Sequence, residues 1–266
     1  MRKYVLGVSF IFIILSYIVS IAYKHSNAKE ERQMNSRSMP VSIAYEHYAK
    51  HLYSTAQLAE KGLSYMVFEK ALTGYYNLTK DHHAKSGLLT IADFDQPSTR
   101  KRLYIIDLEK EAIILNTWVA HGQKSGEDQT VRFSNQNDSF SSSIGFYLTG
   151  EEYNGKHGRS LRLDGMDPGY NDKARERSIV IHGAAYVSEG TIEALGRLGR
   201  SQGCPAVASE YSDLVINTLG SGSVLFINKS SESLKSSYLN EATAALYAST
   251  HLDGNNSNVN HFSVLD

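Results

Sequence analysis

Ser178-Ile179-Val180-Ile181-His182-Gly183 and Gly199-Arg200-Ser201-Gln202-Gly203-Cys204-Pro205-Ala206-Val207 decide how this chain is read. The first is an apolar run that delivers a histidine at its end, followed at once by glycine. That is the pattern of a buried strand. The second carries the only cysteine of the chain, after a glycine and before a proline, in a loop that leads towards a helix. A free thiol is mostly protonated at neutral pH, and the thiolate is the reactive species. A neighbouring imidazole takes the proton and holds the ion pair. Glycine before the cysteine lets a substrate approach the backbone closely. It also leaves the amides of Gly203 and Cys204 to face a developing oxyanion. Pro205 has no amide hydrogen and fixes the chain beyond the thiol. The two segments together read as a cysteine nucleophile, Cys204, with His182 as its base. They predict a thiolate fraction far above that of free cysteine. Each alone has a plain alternative: a small buried thiol, and a packed strand-end histidine.

Outward from these segments, short runs rich in Ile, Leu and Val alternate with turn-forming residues. They predict strands at Leu88 to Phe94, Arg102 to Asp107, Ala112 to Ala120, Ile144 to Thr149, Ser160 to Leu163, Ser178 to His182 and Ser223 to Asn228. Turns are expected at Gly122, Gly126, Gly150, Gly155, Gly158, Gly165 and Gly169. Glu210 to Leu219 reads as a short helix. The fold class is mainly β (α+β), a sandwich or barrel. Ahead of it, Tyr45, Tyr48, Leu52, Ala56, Ala59, Leu63, Met66, Val67 and Ala71 recur at three- and four-residue steps. This is helical spacing, broken near Gly62, and the aromatic stripe reads as a packing face.

The N-terminus sets the compartment. Arg2 and Lys3 precede an uncharged, mostly apolar run from Tyr4 to Tyr23. About twenty such residues are enough to span a bilayer, and the basic flank keeps that end in the cytoplasm. The layout also fits a secretory signal, with small-x-small steps at Ser20-Ile21-Ala22 and Ser26-Asn27-Ala28. The expected organisation is a signal or inner-membrane anchor over 1–24, a linker over 25–40, a helical extension over 41–86, a catalytic domain over 87–229, and a polar tail over 230–266, partly helical. Export places the catalytic part on the outer, periplasmic side of the membrane. A formal net charge of −1 argues against nucleic acid as a partner, which would require a basic face. His82 and His83 have no spaced acidic or thiol partners, so no metal site is expected.

The His-Gly and Ser-x-Gly-Cys pair resembles the signature of the murein L,D-transpeptidases. Ile181-His182-Gly183 and Arg200-Ser201-Gln202-Gly203-Cys204-Pro205 match it. Upstream, Arg102 to Leu108, Trp118-Val119-Ala120-His121-Gly122, Phe133-Ser134-Asn135, Ser142-Ser143-Ile144-Gly145 and Gly155 to Leu161 are similar to elements of one branch of that family. Gln202 stands where the commoner pattern has a second histidine, which is not the base there. The resemblance covers roughly residues 85 to 228. It implies a β-rich fold with a cleft between sheet and loops, and acyl transfer on peptidoglycan stem peptides with no cofactor. Cys204 would attack the bond between the third residue of a tetrapeptide stem and its terminal D-alanine, and the amine of a second stem would resolve the thioacyl-enzyme. Hydrolysis by the same dyad, as an L,D-carboxypeptidase or stem-peptide amidase, is the alternative activity. A degenerate wall-binding module is the non-enzyme alternative. Candidate substrate contacts are Arg200 to a stem carboxylate, Ser201 on the loop, Gly183, Tyr186 by stacking, and His157 in its glycine-rich turn. Beside these stand an ion pair for Arg200, a turn cap for Ser201, packing for Tyr186, and structural roles for His157 and His121.

Overall fold

The computed structural model describes residues 41–81, 83–84, 87–156 and 158–255, with side chains as far as Thr250. The apolar run at Tyr4 to Tyr23, His157 and residues 256–266 lie outside the described residues. Among the described residues, no helix is long and apolar enough to cross a membrane.

Nine strands form one sheet in the order β3-β2-β1-β9-β5-β6-β7-β8-β4. They are β1 Leu88–Asp93, β2 Leu103–Asp107, β3 Ala112–Thr117, β4 Val119–Ala120, β5 Gly145–Gly155, β6 Gly158–Gly165, β7 Val180–Ala184, β8 Ala206–Ala208 and β9 Val224–Asn228. Pairing is antiparallel except for β1 with β9 and β7 with β8. Strands β3 and β4 sit at opposite ends of the order, yet only Trp118 separates them in sequence. The sheet therefore curls round into a nearly closed barrel.

Two faces of this sheet are buried, and the two-residue strand period sorts side chains between them. Leu89, Ile91, Tyr104, Ile106, Phe146, Val224 and Phe226 point into one core. Their neighbours Ala92, Leu103, Ile105, Tyr147, Leu225 and Ile227 point into a second. Burial on both sides explains why these strands read as continuous apolar runs.

The first core is closed by helices. Residues 41–55 form α1, and α2 spans Tyr65–Lys80, capped by the Ser64 hydroxyl on the Val67 amide. Turns over 56–62 separate them, as the break at Gly62 predicts. They also shift the helical phase, so Ala59 and Met66, expected on the packing face, are exposed while Leu58 and Phe68 are buried. A 3-10 turn at Ser237–Leu239 leads to α5, Glu241–Asn255. This part of the polar tail is ordered against α2 because Ala244, Ala245 and Ala248 pack into the same core as Tyr76 and Leu72.

Helices α3, Glu189–Leu195, and α4, Ser209–Leu219, flank the other side. Val215, Ile216 and Leu219 of α4 enter the second core. Neither α3 nor β8 stands out in sequence: α3 has no buried residue, and β8 is only three residues long. Gly150 is not a turn. It lies inside β5 at a register shift between Thr149 and Glu152, a bulge that bends the strand.

Candidate active site

His182 and Cys204 reach one place from adjacent parallel strands. His182 on β7 pairs in register with Ala206 on β8, and Cys204 precedes that alanine by two residues. Both line a cavity of about 900 Å³, together with Tyr186, Arg200, Ser201 and Gln202. The fold thus gathers these residues around one cavity. His182 is buried, and its Nδ1 lies 2.9 Å from the Gly183 carbonyl. A carbonyl only accepts, so Nδ1 carries the hydrogen and Nε2 is the basic nitrogen of the neutral ring. Gly183 thus acts through its backbone. A Cβ there would meet Ser212 of α4 at 2.9 Å, so the position also requires a small residue.

Cys204 is half-buried. Its thiol donates to the Ser178 carbonyl at 3.7 Å. Ser178 has φ of 55°, the left-handed region that non-glycine residues seldom adopt, and this turn aims its carbonyl at the sulfur. Burial pushes the thiol above its ordinary range; the Val180 backbone and the charges of Arg177 and Lys156 act the other way. Desolvation thus works against the resting thiolate expected from the sequence, while the neighbouring cations work for it.

The loop itself is held differently from expectation. The Gly203 amide is not available to an oxyanion, because it donates to the Ser201 hydroxyl at 3.0 Å. That hydroxyl donates in turn to the Cys204 carbonyl at 2.6 Å. Ser201 staples the turn that presents the thiol. Gly203 has φ of 119°, and a Cβ would stand 2.8 Å from the Ser141 carbonyl, so glycine serves backbone shape here. Arg200 pairs with Glu127 at 2.8 Å and also donates to the Gly126 carbonyl at 3.0 Å. Its guanidinium is committed to this loop, although it borders the cavity. Gly199 lets the Tyr186 side chain lie against the backbone, where a Cβ would stand 2.4 Å from its Cβ and 2.7 Å from its ring. Burial, with Cys204 nearby, pushes the Tyr186 phenol up to about 12.

His121 is not placed with the thiol. It is fully buried, with Nδ1 2.7 Å from a guanidinium nitrogen of Arg102. Burial and that cation push it down to about 4. Sequence reading missed Arg177, which lines the cavity and holds the 134–143 loop. Nothing marks it beforehand, because an arginine in a polar turn resembles any solvated one.

The model of the L,D-transpeptidase catalytic domain matches residues 59–228. The chain belongs to that family. No curated protein matches this L,D-transpeptidase family member. Among solved structures it is similar to an L,D-transpeptidase from Mycobacterium smegmatis, at 10% identity and a TM-score of 0.35, covering 54% of this chain and 59% of that one. It is also similar to L,D-transpeptidase 3 from Mycobacterium tuberculosis in complex with a faropenem-derived adduct, at 13% identity and a TM-score of 0.33, covering 54% and 60%. A third is the helical cell shape determining protein of Campylobacter jejuni, at 15% identity and a TM-score of 0.38, covering 68% and 62%. The matches span about three-fifths of the length of those chains.

Proposed function

We propose that this L,D-transpeptidase family member cross-links peptidoglycan stems by acyl transfer through Cys204. The observation that carries the reading is the meeting of the only cysteine and a tautomer-fixed histidine in one cavity. Its volume suits a peptide of several residues. The thiol proton passes to Nε2 of His182 as sulfur attacks the carbonyl of the third stem residue. The leaving D-alanine amine takes that proton, and a thioester remains on Cys204. The side-chain amine of a second stem then attacks, giving its proton to His182, and sulfur leaves to regenerate the thiol. Such a wall substrate lies outside the cytoplasm, in keeping with the export expected from residues 1–24.

The test is incubation with purified tetrapeptide muropeptides and mass spectrometry of both protein and products. A thioacyl adduct on the wild type and a dimer lighter by one D-alanine per bond are expected. Cys204→Ser should give neither. His182→Ala should lose on the order of a hundred-fold or more in rate, the scale of a lost general base. Tripeptide without dimer would replace transfer with hydrolysis, and an adduct that survives Cys204→Ala would remove Cys204 from the chemistry.

A further inference from the structure

Arg177 is half-buried, and its guanidinium is held by four neutral acceptors. It donates to the Ser134 carbonyl at 2.8 Å, the Ser143 hydroxyl at 2.9 Å, the Ser139 hydroxyl at 3.2 Å and the Ser141 carbonyl at 2.6 Å. Among the described residues no carboxylate forms an ion pair with it. The arginines around it are paired: Arg175 with Glu151 and Asp164, Arg159 with Glu152 and Asp213, Arg197 and Arg200 with Glu127. A partly desolvated cation without an anion is costly, and an anion formed beside it is stabilised.

The position names that anion. Arg177 directly precedes Ser178, whose carbonyl receives the Cys204 thiol. One of its guanidinium nitrogens lies 3.2 Å from where a Cβ on Gly203 would stand. The ionisable groups that favour its charge are Tyr147 and Cys204, and Tyr147 is a buried phenol whose hydroxyl donates to Ser143.

We propose that Arg177 is the counter-ion of the Cys204 thiolate, a positioning residue clamped by the 134–143 loop so that its charge stands in place when the thiol gives up its proton. The inference rests on Cys204 being the nucleophile and is independent of which acyl acceptor follows. Other groups face the same cavity: His182 and Tyr186 from β7 and the turn after it, Tyr153 from β5, Lys156 from the β5–β6 turn, Arg200 from the cysteine loop, Asp138 from the 134–143 loop, and Glu176 next to Arg177 in the chain. Of these Lys156 also favours the thiolate, while the two carboxylates oppose it by sign. Arg177 differs from all of them in being fixed by four bonds to the loop that packs under Gly203.

The experiment is the rate of iodoacetamide alkylation of Cys204 against pH, in the full chain, with circular dichroism at each pH to confirm the fold. For Arg177→Gln the midpoint should move up by about one to two units, the usual effect of an opposite charge a few ångströms away. That is roughly ten- to a hundred-fold slower labelling at neutral pH, with an unchanged rate at the alkaline plateau. Arg177→Lys should keep its midpoint near the wild-type value. A folded Arg177→Gln with an unmoved midpoint overturns the proposal, whatever happens to the plateau. Should Arg177→Gln fail to fold, the lysine variant decides: a midpoint shifted up by a unit or more counts against charge as the cause. Because alkylation needs no stem peptide, a failed muropeptide assay with the predicted shift would sink the transferase reading and leave this one standing.

Discussion

The hydroxyl of Ser201, bridging the Gly203 amide and the Cys204 carbonyl, shows what spacing alone conveys. Residue types at the site are legible in the sequence, because a thiol beside glycine and a histidine at a strand end are chemically unusual. Their partners are not, since hydrogen bonds to backbone depend on where the chain returns. His121 makes the point most sharply. By sequence, Ala120-His121-Gly122 resembles the setting of His182. In the fold it accepts from Arg102, whose guanidinium is fully buried, is pushed down to about 9 by burial, and stacks over Phe94 at 4.6 Å. His121 must stay neutral there. A folded value near 4 against an ordinary 6.5 means the unfolded chain binds the proton more readily. The stability it contributes is therefore complete above pH 6.5 and lost as pH falls towards 4, on the order of 3 kcal/mol in all. Urea unfolding at about pH 7 and about pH 4.5 should show this loss in the wild type and a shallower one in His121→Asn. Equal pH dependence in the two proteins would refute the assignment.

At the scale of elements, legibility follows length and burial. Strands β1, β2 and β9 can be read within a residue or two because both faces are apolar, whereas β5 runs six residues past the expected Thr149 because its far end is largely exposed and carries no apolar run. Strand β8 escapes because three residues show no period, although β8 is what sets Cys204 beside His182. Gly74 in α2 is equally silent in sequence and decisive in packing. A Cβ there would stand 2.0 Å from the Phe146 ring, which stacks on Phe226 with centroids 4.4 Å apart. Two effects compete in Gly74→Ala. Helix propensity favours alanine by about 1 kcal/mol. Overpacking of a tight core costs about 1–3 kcal/mol, and the site has a rigid aromatic ring rather than a flexible chain end to displace. Packing should win, so the variant should melt several degrees lower than the wild type. A rise in melting temperature would mean that β5 can shift away from α2 at little cost.

The whole molecule joins what sequence composition divides. The region 41–86 reads as an extension and 230–266 as a tail, because their patterns differ from the strands between. In the fold, Tyr45, Leu52, Phe68 and Leu72 of the helices, Ala245 of α5, and Leu89, Tyr104, Phe146 and Phe226 of the sheet belong to one buried cluster. Asn77 of α2 donates to the carbonyls of Tyr238 and Asn240, 2.7 and 2.9 Å away, tying the helices before the sheet to the segment after it. The strands that carry the thiol share a sheet with those the helices cover, through β5 and β6. Loss of the helical layer would strip apolar cover from β1, β9 and β5, and burial of that apolar surface is what chiefly holds them in place. The helices and the cysteine loop should therefore unfold together. Helical ellipticity and exposure of Cys204 to a thiol reagent, followed on one urea gradient, should give coincident midpoints in the wild type. They should move down together in Gly74→Ala, whose lesion is remote in sequence from the cysteine. Two separated transitions, with Cys204 still protected after helicity is lost, would show that the sheet stands alone and that the helical layer is a separate domain.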